Sequence, residues 1–238
     1  MNEKLRNRYQ QTLQKIENAC KKAGRSRDEV TLVAVSKFHS PEAIEALINL
    51  GQRDFGENYL QEVQAKQQWF SDKPQSEQLN WHFIGHLQSR KARHAAGNFS
   101  LIQTLDSEKL ANELQKTLVR ENLFQKVLIE VNIAGEKQKS GISENDLPEL
   151  AEKVLETCPN LQICGLMCMA PVARAADQSR KYFSRLRELN EQLKNRLELP
   201  MPYLSMGMSQ DFGVAIEEGA TIVRIGTAIF GPRILKVE

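Results

Sequence analysis

The sequence has no apolar run near the roughly 20 residues that a membrane-spanning helix needs. Its first residues, MNEKLRNRYQQ, lack the apolar core of a signal peptide. A cytoplasmic protein with no membrane partner is therefore expected. Cysteine is also scarce: Cys20, Cys158, Cys164 and Cys168 form no CxxC pair and have no histidine close in sequence, so no metal site is expected and reduced core thiols are. Charge of one sign is missing too. With 32 basic and 30 acidic residues the net charge is +2, which leaves no electrostatic footprint for nucleic acid. Internal repeats and low-complexity tracts are absent, and the polar stretches SDKPQSEQLN (71–80) and AGEKQKSG (134–141) read as loops within structural units.

What is present is alternation. Leu5, Tyr9, Leu13, Ile16 and Cys20 recur at helical spacing before Gly24, which predicts an amphipathic N-terminal helix. Eight short apolar runs follow: TLVAVS (31–36), RDFG (53–56), WHFIG (81–85), LIQTL (101–105), KVLIEVN (126–132), LQICGLM (161–167), YLSM (203–206) and TIVRIG (221–226). Between them lie helical patterns with start signals at Pro41, Ser107 and Ser143. Apolar strands alternating with helices imply a parallel sheet, and eight such units predict a single (β/α)8 TIM-type barrel spanning residues 1–238 as one α/β domain. After the eighth strand only IFGPRILKVE remains, too short for a full helix, so the N-terminal helix is expected to fill that gap in the outer ring.

In such barrels the active site gathers at the C-terminal ends of the strands, and phosphate commonly binds the loops after strands seven and eight. Here strand seven runs into Ser205-Met206-Gly207-Met208-Ser209 before a helical pattern near Asp211, and strand eight runs into Arg224-Ile225-Gly226-Thr227. Small and hydroxyl residues thus stand where backbone N–H groups meet an anion. Each motif alone reads as an ordinary turn; their joint placement points to phosphate.

Lys37 closes the first strand, on the same rim and beside strand eight. One reading is a lysine that snorkels to the rim. The other is an amine whose pKa desolvation lowers, suiting it to Schiff-base chemistry. Arg224 shares a strand face with Ile222 and Gly226, and either pairs with Glu130 or Asp54 or meets a ring nitrogen of a cofactor. Further rim candidates have plainer alternatives: Asn58 as a helix N-cap, Met167 as core, His82 and His86 as satisfied polar groups at a strand end, and Asn132 after strand five. Lys137 and Lys139 occupy the same rim and read as solvated loop lysines, with attraction of an anionic ligand as the alternative.

The set VAVSK, FGENY, WHFIGHLQS, KSGI, GLM, LSMGMSQDFGVAI and VRIGTAIFGPR, from about residue 5 to 233, resembles the YggS/PROSC family of pyridoxal-phosphate homeostasis proteins. One departure is Arg90-Lys91 after LQS, where many members carry Asn-Lys. The resemblance implies the barrel of the alanine racemase N-terminal domain (PLP fold type III) and pyridoxal 5'-phosphate (PLP) held on Lys37 as an internal aldimine. By the same resemblance Ser209, Gly226 and Thr227 hold the phosphate, Arg224 faces the pyridine nitrogen, and Asn58 lies near the ring's polar edge.

An arginine against that nitrogen keeps it unprotonated, because a second cation there is unfavourable, and so weakens the ring as an electron sink. Racemisation works best with an acid/base group on each face of the substrate. The chain ends soon after strand eight, so a second domain bearing the opposite acid is not expected. The expected function is a monomeric carrier or regulator of PLP rather than an enzyme, with no catalytic residues assigned and PLP-dependent apoenzymes as partners. The alternatives are an amino-acid racemase and a phosphosugar isomerase using the same phosphate loops without a cofactor.

Overall fold

The structure, a computed structural model, describes residues 3–136, 138–172 and 175–232. Eight parallel strands close into a barrel in chain order: β1 (Thr31–Val35), β2 (Asp54–Glu57), β3 (Asn80–Phe83), β4 (Leu101–Leu105), β5 (Gln125–Val131), β6 (Leu161–Cys168), β7 (Tyr203–Ser205) and β8 (Ile222–Ile225). The outer ring comprises α2 (Pro41–Ile48), α3 (Leu60–Phe70), α4 (Glu108–Glu121), α5 (Leu147–Thr157), α6 (Arg180–Leu197), α7 (Phe212–Glu217) and α8 (Thr227–Phe230), preceded by α1 (Glu3–Lys22). The eight expected strands are all present, with ends shifted by one or two residues.

The strands are buried on both faces, as a parallel sheet under helices requires. Leu32, Ala34, Ile102, Ile129, Val223 and Ile225 face the helices, whereas Val33, Leu101, Leu128, Cys164, Met167 and Ile222 form a separate cluster inside the barrel. Two irregularities set which residues point inward. Between β5 and β6 the pairing slips from Val127 with Ile163 to Ile129 with Leu166, so β6 carries one extra residue. It falls at Gly165, whose φ is +149° and where a Cβ would stand 1.8 Å from the Tyr203 carbonyl oxygen, so only glycine fits. Cys164 and Met167 therefore both face inward although three residues apart. A second extra residue lies in β4 between Ile102 and Leu105.

α8 has a single turn, and α1 packs into the space a longer helix would occupy. Arg8 Nη1 donates to the Phe230 carbonyl at 3.2 Å. Just beyond α1, Arg25 Nη1 donates to the Ile216 and Ala220 carbonyls at 3.0 and 2.8 Å. Leu5, Tyr9, Ile16 and Cys20, the stripe legible in sequence, are the buried face, and each large apolar side chain so buried contributes roughly 1.5–3 kcal/mol. Among the expected helix starts, Pro41 opens α2 and Ser107 caps α4 through the Leu110 N–H. Ser143 does not cap α5: it bonds Asp146, and α5 begins at Leu147.

Candidate functional site

Lys37 lies two residues past β1 and continues the inward parity of Val33 and Val35. It lines a cleft of about 720 Å³ together with Ser209, Asp211, Arg224, Gly226 and Thr227. Five of the six expected binding residues are thus brought together. The sixth, Asn58, does not line that cleft; its Oδ1 is buried without a hydrogen-bond partner among the described residues. It is not an N-cap either, since Tyr59 holds that position for α3.

The residues around Lys37 are tied down from behind the barrel wall. Lys66 Nζ, buried, donates to the Ser36 carbonyl at 2.8 Å, to Glu57 Oε1 at 2.6 Å and to Glu62 Oε1 at 2.7 Å. The Ser36 hydroxyl donates to Glu57 Oε1 at 2.6 Å, and Glu62 accepts the Phe38 N–H. Burial pushes the Glu57 carboxyl up, with Lys66 opposing it. Phe38 adopts a left-handed φ of +65°, a conformation the flanking bonds hold. Lys37 is therefore presented from a braced turn.

The two loops opposite are laced together. Ala228 N–H donates to Ser209 Oγ at 3.3 Å, Met208 N–H to Asp211 Oδ1 at 2.8 Å, and Arg224 N–H to the Gly207 carbonyl at 3.0 Å. The N–H groups of Ser209, Gln210, Gly226 and Thr227 enter no backbone–backbone hydrogen bond among the described residues. With the hydroxyls of Ser209 and Thr227 they form an arrangement of donors suited to an anion.

Arg224 is 4% exposed. The two partners considered for it from sequence, Glu130 and Asp54, are replaced by Ser205 Oγ, which accepts from Nη1 at 2.5 Å, and the Cys168 carbonyl, which accepts from Nη2 at 2.9 Å. Asp54 pairs with His82 instead. Burial lowers the pKa of Arg224, and burial pushes the nearby Cys168 thiol up to about 12. Glu130, inward on β5, is pushed up to about 7, by burial first and by Asp106 second, with Arg224 acting against both.

The remaining rim candidates resolve separately. Met167 is fully buried core. Asn132 closes its loop by donating to the Glu136 and Lys139 carbonyls at 2.9 and 3.3 Å. His86 is exposed beside Asp106, whereas His82 is buried inside β3 rather than at a strand end. Lys139 is no solvated lysine: it pairs with Glu136 and donates to the Ala170 carbonyl at 3.2 Å. Lys137 lies outside the described residues. Reading the strands missed Gln103 and put Ser205 with the loop after strand seven rather than inside the barrel; the signal available was their inward parity on β4 and β7.

Residues 10–233 match the family described as "Alanine racemase, N-terminal domain". The chain is 44% identical over 226 residues to the pyridoxal phosphate homeostasis protein of Aquifex aeolicus, an alignment covering 95% of this chain and 97% of that one. The chain belongs to the pyridoxal phosphate homeostasis protein family. Among solved structures, PipY of Synechococcus elongatus with PLP bound superposes on this family member with a TM-score of 0.79 and 35% identity, over 91% of this chain and all of that one. An alanine racemase from Clostridium difficile shares the fold alone, with a TM-score of 0.72 at 10% identity over 58% of its length.

Proposed function

We propose that the whole chain acts as a single PLP-binding barrel domain that holds the cofactor on Lys37 and buffers or delivers it, rather than turning over a substrate. The observation that carries this reading is the convergence of a lysine amine, a buried arginine and two donor-rich loops on one cleft. The donor set fits PLP group by group. Lys37 is the nucleophile suited to the aldehyde, the Ser209 to Gln210 and Gly226 to Thr227 donors suit the phosphate, and Arg224 suits a ring nitrogen that only accepts. Asn58 stands outside the cleft with its Oδ1 buried, so the fit does not include it.

When bound, PLP supplies an aldehyde that condenses with an amine and a ring that withdraws electrons. The protein's own residues limit that second property. Arg224 has no acceptor and no titratable proton near neutrality, so it would donate a hydrogen bond to the ring nitrogen and give it no proton. The braced turn around Ser36 and Phe38 fixes where the amine stands, and the laced loops fix the anion.

The racemase reading is not favoured: the full-length relative from Aquifex aeolicus is named for homeostasis, while the racemase resembles the chain in fold only. We further place the protein in the cytoplasm as a monomer that exchanges cofactor with PLP-dependent apoenzymes. Its four free, buried cysteines accord with a reducing compartment, and no described helix is long and apolar enough to cross a membrane. The test is titration of the purified protein with PLP followed by visible absorbance and by alanine racemisation. A yellow band lost in Lys37→Ala, with no racemisation at enzymatic rates, is expected; racemisation at such rates, or a colourless wild type, refutes the reading.

A further inference from the structure

Five polar side chains from five strands join end to end across the barrel interior. His82 Nε2 lies 3.0 Å from Asp54 Oδ1, and His82 Nδ1 lies 3.0 Å from Gln103 Nε2. Ser205 Oγ lies 2.6 Å from Gln103 Oε1, and Arg224 Nη1 lies 2.5 Å from Ser205 Oγ. Gln103 and Ser205 are fully buried and His82 is 5% exposed, so bulk solvent does not reach the middle of the chain.

The two ends dictate the direction of every link. A guanidinium only donates and a carboxylate only accepts. Arg224 must therefore donate to Ser205 Oγ, which passes its own hydrogen to Gln103 Oε1. The Gln103 amide then donates to His82 Nδ1, leaving the histidine's single hydrogen on Nε2 for Asp54. In this direction of bonding Nδ1 accepts and the His82 hydrogen sits on Nε2. Protonating the ring would turn the Gln103 amide over and give Ser205 two donors, stripping its hydroxyl hydrogen of a partner.

We propose that Gln103, acting with His82 and Ser205, is a positioning residue that presets the Arg224 guanidinium from the far side of the barrel. This rests on the reading of Arg224 as the partner of the ring nitrogen. The chain fixes which Arg224 hydrogens are engaged inside the barrel and therefore which remain directed at the cleft. An amide is the one side chain of this size that accepts from Ser205 and donates to an unprotonated histidine nitrogen at the same time.

Two measurements test this. Nitrogen-15 NMR of the wild-type protein without cofactor, with His82→Gln used to assign the resonance, is expected to show His82 neutral with its hydrogen on Nε2. A hydrogen on Nδ1, or a doubly protonated ring at neutral pH, overturns the chain. Second, Gln103→Leu, shown to be folded by circular dichroism, is expected to retain a borohydride-trapped adduct on Lys37 while its visible band shifts. Its affinity for PLP is expected to fall about tenfold, the order of one net hydrogen bond, because the Ser205 hydroxyl that Gln103 orients no longer has its acceptor. An unchanged band and affinity remove the positioning role while leaving the cofactor reading intact. A wild type that takes up no PLP removes both, whatever the histidine tautomer. Should Gln103→Leu not fold, Gln103→Met, equally unable to donate, carries the same comparison beside the wild-type NMR result.

Discussion

Glu130→Gln should raise stability at alkaline pH and leave it nearly unchanged in acid. Glu130 is 2% exposed, its Oε2 has no hydrogen-bond partner among the described residues, and its pKa rises from 4.5 to about 7. A raised carboxylate pKa means that the folded protein holds a proton the unfolded chain has released. Below pH 4.5 both states are protonated and the group is neutral in its effect; stability then falls as pH rises toward 7 and stays lowered above it. The shift corresponds to about 3 kcal/mol at pH 8. Glutamine has no charge to bury, so the variant should escape the loss. In a chain of this size the difference is roughly 6–12 °C in Tm. Thermal melts of cofactor-free wild type and variant at pH 5 and pH 8 measure it. Wild type and variant falling in parallel between those pH values, or a variant less stable at pH 8, would refute the assignment of a buried, proton-holding Glu130.

Lys66→Met strands the buried Glu57 carboxylate, so it should cost about 3–5 kcal/mol in urea unfolding, and Lys66→Met with Glu57→Gln should recover at least half; no recovery would contradict the pairing. The single variant should also weaken PLP uptake, because Lys66 holds the Ser36 carbonyl next to Lys37. Gly85→Ala places a Cβ 2.3 Å from the Asn58 carbonyl oxygen, and the forced backbone shift should lower the unfolding free energy by about 1–3 kcal/mol, read as a lower urea midpoint. An unaffected midpoint would mean that β2 and β3 are not in this register beyond their ends.

The barrel was legible because parallel strands covered on both faces read as continuous apolar runs separated by helical periods. The cleft was legible because chain order alone places the ends of β1, β7 and β8 together once the barrel closes. What stayed hidden depended on register. The extra residue at Gly165 changes which side chains of β6 face inward; the glycine inside LQICGLM is a local sign of a bulge, but the slip itself is set by pairing with β5. Arg224 found Ser205 and a backbone carbonyl instead of a carboxylate, since the strand parity that aligns Ser205 with Arg224 is set by pairing across β7 and β8. Ser143 carries a helix-start residue type, yet the intervening turn with Asp146 uses its hydroxyl.

Borohydride reduction of the PLP-treated protein, followed by peptide mass spectrometry, probes the central claim most directly. The account predicts one pyridoxyl adduct, on Lys37, absent from Lys37→Ala. An adduct distributed over surface lysines, or none on Lys37, would contradict it.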